Sequence, residues 1–319
     1  MNSPTRLHLP APAKLNLFLH VTGRRADGLH LLETVFQFID LEDHVTLELD
    51  PSGHIGRMHD PKGFSADDDL TLRAARALKE ATGCPLGVRV TLDKQIPMGA
   101  GLGGGSSDAA TVLLGLNQLW QLGLSRERLI DIARPLGADV PVFVYGQNAY
   151  ATGIGDVFQP ISLPDRWFVL FMPNAHVATA GIFSAPELTR DTKLLTIQGF
   201  TAMAGHNDLQ PVVEARQPAV RQAVQLLQQA ADQVAPGNGR EAESAITVRM
   251  TGSGACVFAA TQSHATALAL LQEVQQASKK IVVARQTSAS ERITMRTETG
   301  TLYLVRGLAS HPLGSRQVG

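Results

Sequence analysis

Five of the seven residues from Gly99 to Gly105 are glycine, and Ser106 and Ser107 follow directly. Glycine permits positive φ and close backbone approach, so successive N–H groups in such a stretch can converge on an anion. A helical pattern begins at about Ser107 and runs to Leu119, with Val112, Leu113, Leu116 and Leu119 as its apolar stripe. A helix start adds unpaired N–H groups and the positive end of its dipole. Pro97-Met98-Gly99-Ala100-Gly101-Leu102-Gly103-Gly104-Gly105-Ser106-Ser107 therefore reads as a phosphate cradle, with serine hydroxyls available to phosphate or to a magnesium ion. No lysine follows the glycines, which excludes a Walker A loop. Gly99, Gly101 and Gly104 fit the dinucleotide spacing, but that site needs a strand and an acid after the helix. Here Ser125 caps another helix, ended by Gly137. The competing reading, a flexible linker, sits badly between a strand and a capped helix.

Around the loop the chain reads as α+β. From Lys14, the residues Leu15, Leu17, Leu19 and Val21 alternate with Lys14, Asn16, Phe18 and His20, which predicts a strand with its leucines buried and Lys14 and Asn16 on the other, wet face. Gly23 and Asp27-Gly28 mark turns. Val45, Leu47 and Leu49, then Val88, Val90 and Leu92, predict antiparallel strands with one wet face. A helix is expected from about Leu70 to Ala81, started by Asp67–Asp69 and ended at Gly83. Beyond about Asp165 the pattern gives a strand at Trp167–Met172, a helix from Pro218 to Val234 stopping at Pro236-Gly237, strands at Val248–Met250 and Val257–Ala260, a helix from Ser263 to Ala277 and a strand at Ile281–Ala284. That order predicts an α+β second lobe, with lobes 1–164 and 165–319. After Thr287 the pattern weakens, and the tail after Ser310 reads as loose.

Composition removes several function classes. A net charge of −1 offers no general attraction to nucleic acid or to an anionic membrane, so an anionic ligand must be held locally. No stretch is apolar for long enough to span a bilayer, and the proline-broken N-terminus lacks a signal-peptide core. Cys84 and Cys256 show no metal spacing and read as buried thiols in a reducing cytoplasmic setting.

Two polar residues suggest chemistry. In Leu136-Gly137-Ala138-Asp139-Val140-Pro141-Val142-Phe143 a single carboxylate stands among apolar residues just past a helix. It is either a structural acid capping the next segment or a general base for a hydroxyl. Lys14 is either a solvated strand-end lysine or the cation that offsets charge on a transferred phosphoryl group. Thr251-Gly252-Ser253-Gly254 is equally a hairpin turn or a phosphate contact.

Taken together, Pro-Ala-Lys-Leu-Asn-Leu at 12–17, the loop at 97–107 and Thr-Gly-Ser-Gly at 251–254 resemble the GHMP kinases. Thr22-Gly23-Arg24-Arg25-Ala26-Asp27-Gly28-Leu29-His30, Phe36-Gln37-Phe38 and Gly137–Phe143 bring the chain near the members that act on a cytidylyl methylerythritol. The likeness runs from about Leu9 to Ala284. It implies a two-lobed fold, with an N-terminal ribosomal-protein-S5-like lobe, a C-terminal ferredoxin-like lobe and the active site between them. It implies transfer of the γ-phosphate of ATP, with Mg²⁺, to the 2-hydroxyl of a small-molecule cytidylyl substrate in non-mevalonate isoprenoid biosynthesis. Asp139 falls on the family's catalytic base, Lys14 on its catalytic lysine and Asn16 on a polar neighbour. Lys94 and the loop residues fall on the nucleotide contacts. His30 matches the reader of the cytosine edge, Phe36 and Phe183 the aromatic walls, and Thr179 a nearby polar contact. On the residues alone, His30 is an ordinary loop histidine and Phe36 a core residue. Leu29 departs from a tyrosine that stacks on cytosine, and Asp69 from an asparagine at adenine. Monomer and homodimer both remain compatible.

Overall fold

The computed structural model describes residues 5–58, 69–195, 204–235, 246–277, 281–286 and 292–314. The expected start and stop signals at Asp67, Asp68 and Pro236-Gly237, and the boundary at Thr287, lie outside the described residues.

β1 (Arg6–Arg24) and β2 (His30–Asp50) form a long antiparallel hairpin. Gly28 turns the chain between them at φ +89°. β2 also pairs with β4 (Gly87–Asp93) and β5 (Ala149–Thr152), and the sheet is completed by β3 (Ile55–Arg57) and β6 (Val157–Pro160). Against one face of this sheet pack α1 (Leu70–Thr82), α2 (Gly104–Leu119), α3 (Arg126–Ala133) and α4 (Val140–Tyr145).

The wet face expected for β1 does not exist. The strand begins at Arg6, before Lys14, and Lys14, Asn16 and His20 are 2%, 3% and 2% exposed. Leu15 and Leu17 face a second lobe, where they share a core with Phe168, Leu170 and Phe258. Leu9, Ala11 and Phe36 lie in the other core, beneath the helices. A strand covered on both sides has no solvent for its polar residues, so each must find a partner.

α1 follows the expectation closely. The Asp69 carboxylate accepts from Thr71 N at 2.8 Å as N-cap, and Gly83 ends the helix at φ +67°; such a cap is worth about 1 kcal/mol. α3 is capped by Ser125 as expected, but stops at Ala133 rather than at Gly137. α2 starts at Gly104, three residues before the predicted Ser107, so two of the loop glycines belong to its first turn.

The second lobe carries β7 (Trp167–Pro173), α5 (Thr179–Phe183), α6 (Gln210–Arg216), α7 (Pro218–Val234), β8 (Thr247–Met250), β9 (Val257–Thr261), α8 (His264–Ala277), β10 (Ile281–Gln286), β11 (Ile293–Thr297) and β12 (Gly300–Arg306). Its sheet runs β10-β11-β12-β7-β9-β8. Leu227 of α7 and Leu270 of α8 pack on Val169 and Val257 of that sheet. The free cysteines Cys84 and Cys256 are both buried, as expected.

The C-terminal segment is not loose through its described part. β12 lies between β11 and β7, and the chain then crosses back to the first lobe. Leu308 N donates to Phe38 O at 2.8 Å, and His311 N to Gly146 O at 3.1 Å. Arg126 donates to Leu313 O at 2.9 Å and Gly314 O at 2.8 Å. His311 is fully buried, edge-on to Phe38 and Phe143, and its Nδ1 accepts from Leu313 N at 3.0 Å.

Burial, reinforced by the Arg126 charge, pushes the His311 pKa from 6.5 down to about 3. Below 6.5 the unfolded chain takes up a proton that the fold refuses, so stability rises with pH between about 3 and 6.5 and is lost as pH falls through that window. His311→Gln keeps an acceptor for Leu313 N and does not titrate. Its Tm is expected to fall less steeply than the native chain's when pH is lowered from about 7 to about 4; equal slopes would remove His311 as a cause of acid lability.

Candidate active site

The glycines are required by contact as well as by conformation. Gly101 and Gly103 sit at φ +73° and +72°. A Cβ on Gly101 would lie 2.5 Å from Thr251 O, and one on Gly103 would lie 2.9 Å from Phe143 Cζ and 3.1 Å from Lys14 Cε. The loop is thus pressed onto Lys14 on one side and onto the turn between β8 and β9 on the other. That turn, Thr251–Gly254, is the hairpin connection and also a brace: Cys256 N donates to Ala100 O at 3.2 Å, and Asn16 N to Thr251 Oγ1 at 2.8 Å. No side chain caps α2, whose first internal bond is Ser107 N to Gly103 O at 2.9 Å. The preceding amides have no partner within the helix. They face a cleft of about 660 Å³ lined by Pro97 to Ser106, the start of α1, Lys94, Asp108, Asp139, Thr179 and Ser253.

Asp139 is the residue before α4, yet its side chain makes no capping bond. The reading as a structural cap is therefore overturned. Its Oδ2 lies 3.3 Å from Lys14 Nζ, and its side chain stays 35% exposed to the cleft while that of Lys14 is 3% exposed. The solvated-lysine reading falls too. Lys14 Nζ also donates to Asn16 Oδ1 at 2.6 Å and stands 5.5 Å above the centre of the Phe36 ring. Asn16 in turn donates to Thr34 Oγ1 at 2.9 Å, which donates to Phe18 O at 2.5 Å. The ammonium is aimed by this chain of bonds and by the β1–β2 register, which sets Asn16 opposite Phe36.

Lys94 is seated between two carboxylates, 2.5 Å from Asp43 Oδ2 and 2.8 Å from Asp108 Oδ2. Asp43 Oδ1 also accepts from Gln95 N at 2.5 Å and Ile96 N at 2.8 Å, which holds the approach to the loop. Burial raises the Asp108 carboxyl above its usual range, opposed by Lys94 and assisted by Asp43. Asp108 Oδ1 and Ser107 Oγ are buried without a hydrogen-bond partner among the described residues. Asp69, besides capping α1, is bound by Arg57 Nη2 at 2.5 Å, so its carboxylate is neutralised at the cleft wall.

The expected acceptor residues fall into two groups. Thr179 lines the cleft and pairs with Ser253 Oγ at 2.7 Å. His30 and Phe183 meet across the lobes with ring centres 5.1 Å apart, and Leu29 beside them is 48% exposed. Phe36 is 3% exposed and floors the Lys14 site, so it is no open stacking wall. Sequence reasoning missed Asn207, whose Nδ2 donates to Met250 O and Gly252 O at 2.8 Å each and so shapes the brace. It missed Asp208, which accepts from Val21 N at 2.7 Å and Thr192 Oγ1 at 2.8 Å. The polar triplet His206-Asn207-Asp208 ahead of an apolar helix was the available signal. Among the described residues no group of three or more His, Cys, Asp or Glu could hold a metal ion, and no helix is long and apolar enough to cross a membrane.

Comparison with known proteins adds an independent line. Residues 69–147 match the GHMP kinases N terminal domain, and residues 196–280 match the GHMP kinases C terminal domain. The chain is 52% identical over 95% of its length to the 4-diphosphocytidyl-2-C-methyl-D-erythritol kinase of Thiobacillus denitrificans, covering 96% of that protein. It is 46% identical over 97% of its length to the protein of that name from Bordetella parapertussis, covering 98% of it. A crystal structure of 4-(cytidine 5'-diphospho)-2C-methyl-D-erythritol kinase superposes with a TM-score of 0.70 at 31% identity, over 93% of this chain and 99% of the other.

Proposed function

The chain belongs to the 4-diphosphocytidyl-2-C-methyl-D-erythritol kinase family of the GHMP kinases, and as such is an ATP-dependent small-molecule kinase; we propose that the Lys14–Asp139 pair carries its phosphoryl transfer. The single observation behind this assignment is that the Asp139 carboxylate is left unused by its own helix, exposed to the cleft and paired with a buried ammonium beside the glycine loop.

In this reading the loop amides and the start of α2 hold the β- and γ-phosphates of ATP. Asp139 accepts the proton of the acceptor's 2-hydroxyl as its oxygen bonds the γ-phosphorus and the bond to ADP breaks in line. Lys14 offsets the charge that develops on the transferred group. Ser106 at the cleft and the unpartnered Asp108 Oδ1 supply oxygen donors that fit Mg²⁺, an ion usually held by one or two carboxylates and the phosphates themselves. Mg²⁺, when bound, neutralises triphosphate charge.

The acceptor is read as a cytidylyl methylerythritol of the non-mevalonate isoprenoid pathway. His30 and Phe36 are six residues apart on β2, or about 20 Å of strand. An acceptor with its base at His30 and its alcohol at Lys14 must therefore be elongated, as a nucleotide-linked polyol is. Asn16, Thr179 and Phe183 complete the contacts in this reading. The lobes divide near residue 165, and the buried free cysteines support a cytoplasmic location.

ADP release tests the substrate. Turnover is expected with the complete cytidylyl acceptor, and kcat/KM at least about 10³-fold lower for the same polyol without its cytidine, because remote binding energy is lost. Equal values for the two acceptors would overturn the assignment.

A further inference from the structure

Arg190 takes no part in the transfer step, yet its guanidinium makes four hydrogen bonds. Nη2 donates to Phe183 O at 3.1 Å and Ala185 O at 2.6 Å, and Nη1 to Leu188 O at 2.9 Å. These carbonyls belong to the end of α5 and the turn after it, so Arg190 caps a helix C-terminus and cannot rotate away. Its Nε–H meets His30 Nε2 at 3.2 Å. Arginine has donors and no acceptor. His30 Nε2 must offer its lone pair, which leaves the proton of the neutral ring on Nδ1. Burial, then the charges of Arg190 and of Arg24 from β1, lower the His30 pKa and oppose a second proton. Among the described residues nothing accepts from Nδ1, while the Phe183 ring stands 5.1 Å away.

We propose that Arg190 is a specificity-determining positioning residue, which locks His30 in its Nδ1–H tautomer so that the pocket presents a donor and favours cytosine over uracil. The specificity half rests on the cytidylyl reading above. Cytosine N3 carries a lone pair and accepts from this donor. Uracil N3 carries a proton, so donor would face donor, and an unpaired polar contact of that kind separates substrates strongly. Arg190 also holds the backbone of Phe183, so one side chain sets both the hydrogen-bonding ring and the aromatic ring beside it.

Long-range ¹H–¹⁵N correlation spectra of the full chain test the tautomer directly, with His30 assigned by the signal lost in His30→Gln. The native chain is expected to show His30 protonated on Nδ1 with or without acceptor. In Arg190→Met the Nε2–H form is expected to become populated, and Arg190→Lys, which keeps a donor, to restore the Nδ1–H form in part. In ADP-release assays Arg190→Met should raise KM for the cytidylyl acceptor about tenfold, hold kcat within about twofold and lower the cytidylyl over uridylyl preference about tenfold. Native His30 protonated on Nε2, or an unchanged preference in a folded Arg190→Met, overturns the proposal. The native spectrum decides the tautomer even where a variant fails to fold. A native chain that phosphorylates no cytidylyl acceptor sinks the substrate reading and the specificity half with it, while the spectrum still upholds or overturns the tautomer.

Discussion

In an Asp139→Asn chain ATP binding is expected to stay within about twofold of native while kcat falls by about 10²-fold or more. The substitution keeps size and shape and removes only the capacity to take a proton. Asp139 makes no capping bond, so α4 loses nothing. Its side chain is 35% exposed, and asparagine at this position keeps an oxygen for the buried Lys14 ammonium, which also retains its bond to Asn16. The fold should therefore survive, and titration calorimetry with ATP separates binding from turnover. The amides proposed to hold phosphate belong to the loop and to α2, and no hydrogen bond joins the Asp139 side chain to them among the described residues. A tenfold loss of ATP affinity would mean that Asp139 acts on the nucleotide, and near-native kcat would end its role as base.

The second large effect belongs to Lys14. Its ammonium joins Asp139, Asn16 and the Phe36 ring in a place with almost no water. Lys14→Met preserves the stem packed against Gly103 and removes the charge. The kcat is expected to drop by about 10²–10³, the scale seen when one preorganised electrostatic partner of a transition state is deleted. Stability should change little, because replacing a buried charge by an apolar chain of similar length also removes its desolvation cost. Asn16 keeps its bond to Thr34, so the strand geometry is retained. A Lys14→Met chain with native turnover would place the charge compensation elsewhere, with Lys94 an alternative cation at the cleft.

How far the sequence could be read depends on whether each element obeys a local rule. α1 and α7 end where Gly83 and the proline-bounded pattern say they should, because caps and a 3.6-residue stripe are local properties. The glycine loop was legible for the same reason. β1 was misread because alternation signals burial only when one face is wet. Here the second lobe covers the leucines, while the glycine loop and the turn between β8 and β9 close over Lys14 and Asn16, so the polar face is the interior of a site. Lys94 shows the limit of motif reading. It lines the cleft, but its seat between Asp43 and Asp108 depends on carboxylates 51 and 14 residues away. The C-terminal crossing escaped because Leu308, His311 and Leu313 have no period. They are held instead by carbonyl bonds from Asn148 and Arg126, which no local pattern records.

Lys14 and Asp139 are taken here to work as one unit on one proton and one phosphoryl group. The kinetics of the Lys14→Met, Asp139→Asn double variant test this most directly. If the pair is a unit, its kcat lies within about threefold of the slower single variant, since residues that act together lose their effect together. A loss equal to the product of the two single losses, about 10⁴ or more, would show that the two side chains act independently and contradict the account.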